Sequence, residues 1–371
     1  MANLRLIIGS LKKLMESKLE FDFSIQQIVL RKIAAIDSFQ SRWKIEQAQE
    51  QAFLKDLKKQ TMVESTGSST RIEGSTLTNL EVETLLKNMK ITQLKTREQQ
   101  EVAGYYEVLT LILDTFNDIP LSENYTAQLH GLLLRHSDKD QRHRGAYKAL
   151  SNQVVASSPE GTQRIIFNTT LPHLTPRAMQ DLVHWTNEAF KADTLHPLLI
   201  IAVFVYEFLS IHPFQDGNGR LSRLLTTLLL LKQGYDFILF TSFENLIEER
   251  KRDYYRVLMH GQQQRGQSET GEIIDKWVVF FLDCLLTLTQ RLTEKRQAYF
   301  TLKDYLNDRQ KQVLAILMKN SPAQLSDISR HLPVITRATL KRDLSILVAR
   351  RLITQVGTGR GVRYFALYEA S

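Results

Sequence analysis

The sequence predicts a mainly α-helical chain that carries one β-hairpin and ends in a small α+β domain. Three observations lead there. Two stretches, Pro197–Ile211 and Leu221–Leu231, are apolar nearly all round and read as buried helices. Two short β-like runs, Gln153–Ala156 and Arg164–Phe167, flank a Ser-Ser-Pro-Glu-Gly turn and read as a hairpin. Beyond Phe300, amphipathic helical segments give way to alternating runs around a glycine-rich turn.

With 371 residues, the chain has room for two or three domains and a sizeable core. The expected division is a helical N-terminal region over 1–95, a central domain over 96–290 and a C-terminal domain over 300–371. At 43% hydrophobic and 24% charged, the composition is that of an ordinary soluble globular protein. One cysteine, Cys284, cannot form an internal disulfide, so a reducing cytoplasm is the expected setting. The apolar run after Met1 is too short for a signal-peptide core. The run Leu198–Ile211 contains Glu207 and is shorter than the roughly 18 residues a membrane span needs, so no membrane partner is expected.

Taken in order, residues 1 to about 60 show a helical rhythm through Ile25, Ile28, Val29, Ile33 and Ile36 and should pack on the core. In Ser68-Ser69-Thr70-Arg71-Ile72-Glu73-Gly74, Gly74 reads as the residue ending a helix. Glu73 then lies at a negative helix end, where a carboxylate needs a cation. Thr76 or Thr78 should open a helix over Asn79–Asn88. The hairpin follows, and then the two apolar helices. After them come Tyr254-Tyr255-Arg256-Val257-Leu258 and a long helix from Ile273, whose charged end, Gln290–Tyr299, leads into the last domain.

Between the apolar helices stands His212-Pro213-Phe214-Gln215-Asp216-Gly217-Asn218-Gly219-Arg220-Leu221-Ser222-Arg223. A turn held there presents free backbone N–H groups and the positive end of the second helix, which favours anions. Gly217 and Gly219 let the backbone approach a polyphosphate, and Asn218 adds an amide between them. Arg220 and Arg223, three apart, should reach neighbouring parts of the anion through guanidinium forks. Asp216 would repel that anion unless a magnesium ion stands between, and His212 can accept a proton near neutral pH. No Gly-Lys-Ser/Thr follows the glycines and no His-Glu-x-x-His occurs, which sets aside a Walker loop and a zinc protease.

These residues resemble the Fic family signature, His-x-Phe-x-Asp/Glu-Gly-Asn-Gly-Arg-x-x-Arg, at every fixed position. The resemblance covers roughly residues 60–290 and implies a Fic-type helical core with the hairpin as a flap. It implies transfer of AMP from ATP, with Mg2+, to a Ser, Thr or Tyr hydroxyl of a target protein, or of the chain itself. His212 would be the general base, Phe214 the loop's anchor and Asp216 the metal ligand. Gly217, Asn218, Gly219, Arg220, Leu221, Ser222 and Arg223 would hold the phosphates, Arg223 the γ-phosphate. Tyr254 and Gln262 would lie near the nucleoside, where the family often has asparagine at the position of Gln262. Ser69 and Glu73 match the family's inhibitory motif, whose glutamate pairs with the last arginine, here Arg223. Ile165, Ile166 and Phe167 would form the flap edge that registers an extended target segment.

The C-terminal pattern resembles a winged helix-turn-helix. Its helices are expected at Asp308–Lys319, Gln324–Leu332 and Thr336–Arg351, and its strands at Leu352–Val356 and Arg363–Leu367. Arg337, Lys341 and Arg342 would lie on the recognition helix and Arg360 at the wing tip. From Phe300 onward there are twelve Lys and Arg against five Asp and Glu, so nearly all of the chain's net charge of +8 sits here. That favours duplex DNA, with protein docking as the alternative. Two function classes remain: an autoinhibited AMP transferase, and a DNA-binding regulator whose core senses nucleotide. Within the first, removal of AMP or transfer of another phosphate-containing group stays open. So does the oligomeric state, a dimer included.

Overall fold

Helix α1 (Phe23–Glu46) is amphipathic as its rhythm predicts. Val29, Ile33, Ile36, Gln40 and Trp43 form its buried stripe at spacings of three and four. Asp22 caps its start by accepting from the Ile25 N–H at 2.9 Å. The computed structural model describes residues 15–19, 21–47, 51–89, 93–157, 163–264, 274–304, 306–349, 352–357 and 359–366. These fall into two compact units, residues 1–50 with 58–288 and residues 51–57 with 289–371. The expected boundary at 95/96 thus lies inside one unit.

Helix α2 (Gln51–Ile72) ends as Gly74 foretold. Gly74 adopts φ +109°, its N–H reaches Arg71 O at 3.0 Å, and the Ser75 N–H reaches Thr70 O at 3.1 Å. That pair of bonds is a Schellman stop, and it leaves Glu73 on the last helical turn. Thr78, not Thr76, opens α3 (Asn79–Asn88) through a reciprocal capping box with Glu81. Helix α4 (Arg97–Thr115) and α5 (Glu123–Leu133) follow, each capped by a hydroxyl, from Thr96 and Ser122. Gly104 on α4 lets the two cross closely, because a Cβ there would sit 2.0 Å from Leu133 O.

Strands β1 (Gln153–Ser157) and β2 (Gln163–Asn168) pair antiparallel as the expected hairpin. Val154 faces Phe167 and Val155 faces Ile165, so Ile166 is the extra residue of a bulge. The expected turn residues 158–161, and the side chains of 154–167, lie outside the described residues. Helix α6 (Thr175–Ala192) then packs on α7 (Pro197–Ile211), and α7 on α8 (Asn218–Lys232). Nearly every residue of α7 and α8 is buried, so these two rods form the centre of the unit. Two shorter helices, α9 (Phe243–Glu249) and α10 (Lys251–Gln264), complete that side.

Helix α11 (Asp275–Asp304) runs unbroken through the charged stretch where the sequence expectation ended it. In the second unit, α12 (Asp308–Lys319), β3 (Ala323–Gln324), α13 (Leu325–His331), α14 (Arg337–Ala349), β4 (Ile353–Val356) and β5 (Arg363–Ala366) follow in that order. The strands form an antiparallel sheet ordered β3-β5-β4. Val313, Leu317, Ile328, Leu340, Leu344 and Ile353 fill its core. Strand β3 is too short to register as alternation in the sequence. Buried Asp343 on α14 accepts from Arg309 Nη2 on α12 at 3.1 Å. Arg337, Lys341 and Arg342 are exposed on α14. Arg360 lies in the single turn Gly359–Gly361, its side chain outside the description. Among the described residues no helix is long and apolar enough to cross a membrane.

Gly104→Ala should destabilise the first unit by about 2–3 kcal/mol, because neither backbone can yield to the added methyl. Urea denaturation followed by circular dichroism measures it, and an unchanged midpoint would refute the close crossing of α4 and α5.

Candidate active site

Helix α7 ends at Ile211, and the chain reverses through His212, which takes the left-handed conformation with φ 52°. The turn closes on Asn218. Its Oδ1 accepts from the Phe214 N–H at 2.9 Å, and its Nδ2 donates to Phe214 O at 2.7 Å. Asn218 is buried, so its amide locks the turn and is already spent before any anion arrives. Gly217, at φ 80°, then starts α8.

A second lock was not foreseen. The Gly145 N–H donates to His130 Nδ1 at 2.9 Å, so His130 Nε2 carries the proton and donates to Asp216 O, also at 2.9 Å. The His130 ring stacks on Phe214 with centroids 3.8 Å apart and planes 9° from parallel. Nothing in the sequence around His130 marks it out, because its partners are 15 and 86 residues away.

A cleft of about 260 Å³ opens over the turn. His212, Asp216, Gly217, Asn218, Gly219, Arg223, Tyr254 and Glu73 all line it, as the sequence expectation placed them together. Tyr255 and Leu258, from the segment that resembles the family's nucleoside-side stretch, line it too, as do Gln153, Leu209 and Gln215, which were not expected there. Gln153, at the root of the hairpin, brings the flap to the cleft. Tyr254 is buried and packs edge-on against Trp277 at 5.7 Å.

Three residues expected at the phosphates, and Gln262, expected near the nucleoside, lie elsewhere. Arg220 is 1% exposed and turns to Glu101 at 3.4 Å and Asp216 at 3.2 Å, away from the cleft. Leu221 is core, and the Ser222 hydroxyl donates back to Gly219 O at 2.8 Å. Gln262 Nε2 donates to the Ser210 hydroxyl. Arg220 and Arg223 are three positions apart on one helix, about 60° around its axis, so the narrow cleft meets only one of them.

Arg223 is buried with a single carboxylate. Its Nη2 donates to Glu73 Oε1 at 2.8 Å and to Ser69 O at 3.0 Å, and its Nε donates to the Ser69 hydroxyl at 2.8 Å. Burial alone would raise the Glu73 carboxyl, but Arg223 beside it holds it below the ordinary value. The carboxylate rests against Gly219, where a Cβ would meet Oε1 at 2.4 Å. It therefore occupies the anion place at the N-terminal end of α8.

Arg71, two residues back, steadies this arrangement through a fork on Glu248, with bonds of 2.7 and 2.9 Å, and Lys251 Nζ donates to Ile72 O at 2.6 Å.

Nδ1 of His212 faces Leu209 O at 3.3 Å, which assigns its proton there and leaves Nε2 as the acceptor. Burial pushes this imidazole down to about 4, so it is neutral at neutral pH and a weaker base than an ordinary histidine. Asp216 takes Arg220 and the Gly217 N–H on Oδ1 and Arg97 Nη2, at 3.2 Å, on Oδ2. These cations outweigh burial and hold its carboxyl below the usual value. No cluster of three or more metal-ligating side chains exists among the described residues. A magnesium ion fits only by sharing Asp216 with phosphate oxygens, after exposed Arg97 gives way.

Comparison with known proteins supplies the decisive observation: residues 120–230 match the model of the Fic/DOC family. The chain carries a Fic/DOC family domain. The protein adenylyltransferase Fic of Drosophila grimshawi is 27% identical over 209 residues, 56% of this chain and 39% of that protein. The one from Drosophila mojavensis is 26% identical over 211 residues, 55% and 38% of the two chains. This chain thus spans about two fifths of the length of the curated relatives it matches.

Two solved structures share the fold. A Fic family protein from Desulfovibrio desulfuricans superposes with a TM-score of 0.59 at 23% identity, over 93% of this chain and 97% of that one. A Fic domain containing signaling protein from Bacteroides thetaiotaomicron gives 0.57 at 25% identity, over 69% and 94%.

Burial also pushes His130 in the Fic domain down to about 4. Between pH of about 6.5 and 4 the unfolded chain takes up protons that both buried imidazoles refuse. The stability they contribute is full above about 6.5 and lost as the pH falls through that window. Urea titrations across it should give a falling unfolding free energy, with a shallower slope for His130→Gln. An equal slope would show that His130 takes up its proton in the fold at the same pH as in the unfolded chain.

Proposed function

We propose that this protein is an adenylyltransferase that moves AMP from ATP to a hydroxyl side chain of a protein target and is held off by its own Glu73. One observation supports this above the others: Arg223 points into the cleft beside His212, and its counter-anion is a carboxylate seated at the N-terminal end of α8. A terminal phosphate carries charge of the same sign and matches the same guanidinium.

In the reaction, the triphosphate lies along Gly217, Gly219 and Arg223, with its α-phosphorus toward His212. The target hydroxyl oxygen attacks that phosphorus, the bond to the β-phosphate's bridging oxygen breaks, and pyrophosphate leaves. The hydroxyl proton passes to His212 Nε2. Asp216 would hold magnesium with the phosphates, and the ion would neutralise charge developing on them. Phe214, clamped by Asn218 and His130, keeps the turn from drifting, which matters because small misplacements of reacting atoms are costly. With Glu73 on Arg223, the terminal phosphate loses its partner and the α-phosphorus is not presented in line.

The second unit supports an accessory role. Its helix and strand order supports the winged-helix reading, and the exposed Arg337, Lys341 and Arg342 on α14 support duplex DNA as its partner.

Glu73→Gly should raise self-modification about 10- to 100-fold, read as retained label from α-labelled ATP, because it frees a buried guanidinium. Adding His212→Ala to it should then cost about 10²- to 10⁴-fold while leaving nucleotide binding near normal. Label retained from γ-labelled ATP instead would identify a kinase and overturn the transferase reading. For the C-terminal domain, replacing Arg337 and Lys341 together by alanine should weaken retention on duplex DNA and flatten its salt dependence. If the intact protein shows no salt-sensitive retention, the domain docks protein.

A further inference from the structure

Between the Fic turn and the hairpin lies a buried ammonium that the reaction above does not use. Tyr147 forms an isolated backbone bridge with Phe214, and the next residue, Lys148, donates its N–H to Pro213 O at 2.8 Å. The Lys148 side chain is buried. Its Nζ donates to three oxygens: Thr169 Oγ1 at 2.7 Å, Asn152 Oδ1 at 2.8 Å and Ile211 O at 2.9 Å. An ammonium has three protons to donate, and all three are used.

The three acceptors come from the places that must be joined. Ile211 is the last residue of α7, at the negative end of its dipole, and His212 follows directly. Asn152 precedes β1 and Thr169 follows β2, and the Thr169 hydroxyl also contacts Asn152 O at 2.9 Å, which closes the hairpin root. Asn152 Nδ2 turns the other way and donates to Phe214 O at 2.8 Å.

We propose that Lys148 is a positioning residue that ties the hairpin root to the helix end carrying His212 and so sets where a strand-bound target lies relative to that imidazole. The inference rests on the transferase reading for its consequence but on the contacts for its geometry. Among the described residues no carboxylate accepts from Nζ, and burying an ammonium is costly. An apolar side chain would avoid that cost but strand three buried oxygens, and no amide or hydroxyl offers three donors from one atom.

The same charge acts on the base. The charged groups facing His212 are Lys148 from the segment before the hairpin, Glu73 from the end of α2 and Asp216 from the turn. Lys148 opposes protonation, and the two carboxylates favour it.

Hydrogen–deuterium exchange on the full chain tests the tie without requiring turnover. Lys148→Met should speed exchange of the 153–168 amides about tenfold and leave α6 unchanged. Thr169→Val, nearly isosteric, should act in the same direction more weakly, and Lys148→Arg should stay nearer the parent. The His212 imidazole, followed by NMR, should titrate at higher pH in Lys148→Met but not in Thr169→Val, since only the first removes a charge.

Unchanged hairpin exchange in both variants overturns the proposal, as does a loss of protection shared equally by α6. Should Lys148→Met not fold, Thr169→Val decides by the same comparison. In a Glu73→Gly background, Lys148→Met should slow self-modification about tenfold with the ATP dissociation constant unchanged. Absence of self-modification in Glu73→Gly itself would count against the transferase reading, leaving exchange to judge Lys148.

Discussion

The site depends on a short turn wedged between two buried helices whose polar backbone must be satisfied without water. The side chain of Asn218 does most of this, taking both the N–H and the C=O of Phe214. His130 adds a bond to Asp216 O and a ring face against Phe214. Because these groups are buried, an unmade bond would cost more than a made one gains, and the turn has essentially one conformation. That rigidity places His212, the glycines and Arg223 around a single volume. It also means that an amide which looks like an anion donor serves structure first.

A buried guanidinium demands an anion, and the proposed function gives the site two states from that demand. Glu73 meets the demand in the structure described here, on a helix end that would otherwise disfavour a carboxylate. A terminal phosphate can meet it in its place. On the proposed reading, affinity for nucleotide would report the difference between two ion pairs and not the strength of one. Asp216 poses the converse problem: Arg97 and Arg220 neutralise it now, and a metal ion shared with phosphate would relieve Arg97 of that task.

The hairpin enters through its root. Among the described residues its strands pair only with each other, but Asn152, Thr169 and Lys148 attach them to the end of α7 and to Phe214. Base, anion pocket and flap thus share one small set of polar contacts. On the proposed reading, a flap held at its root would accept an added strand without shifting His212.

Much of this was determined by the sequence alone. The two apolar helices and the turn between them, the Schellman stop at Gly74, the hairpin and the second unit's principal helices all follow from local patterns of apolar spacing, caps and turn residues. So does the gathering of His212, Gly217, Gly219 and Arg223, because twelve consecutive residues leave little freedom. What depends on contacts across the chain was not legible. Two arginines three apart look equivalent until Glu101 and Asp216 draw one of them away. His130 and Lys148 gain much of their meaning from partners as far as 86 and 63 residues away. Periodicity states which face of an element is buried, and only the tertiary structure decides what that face meets.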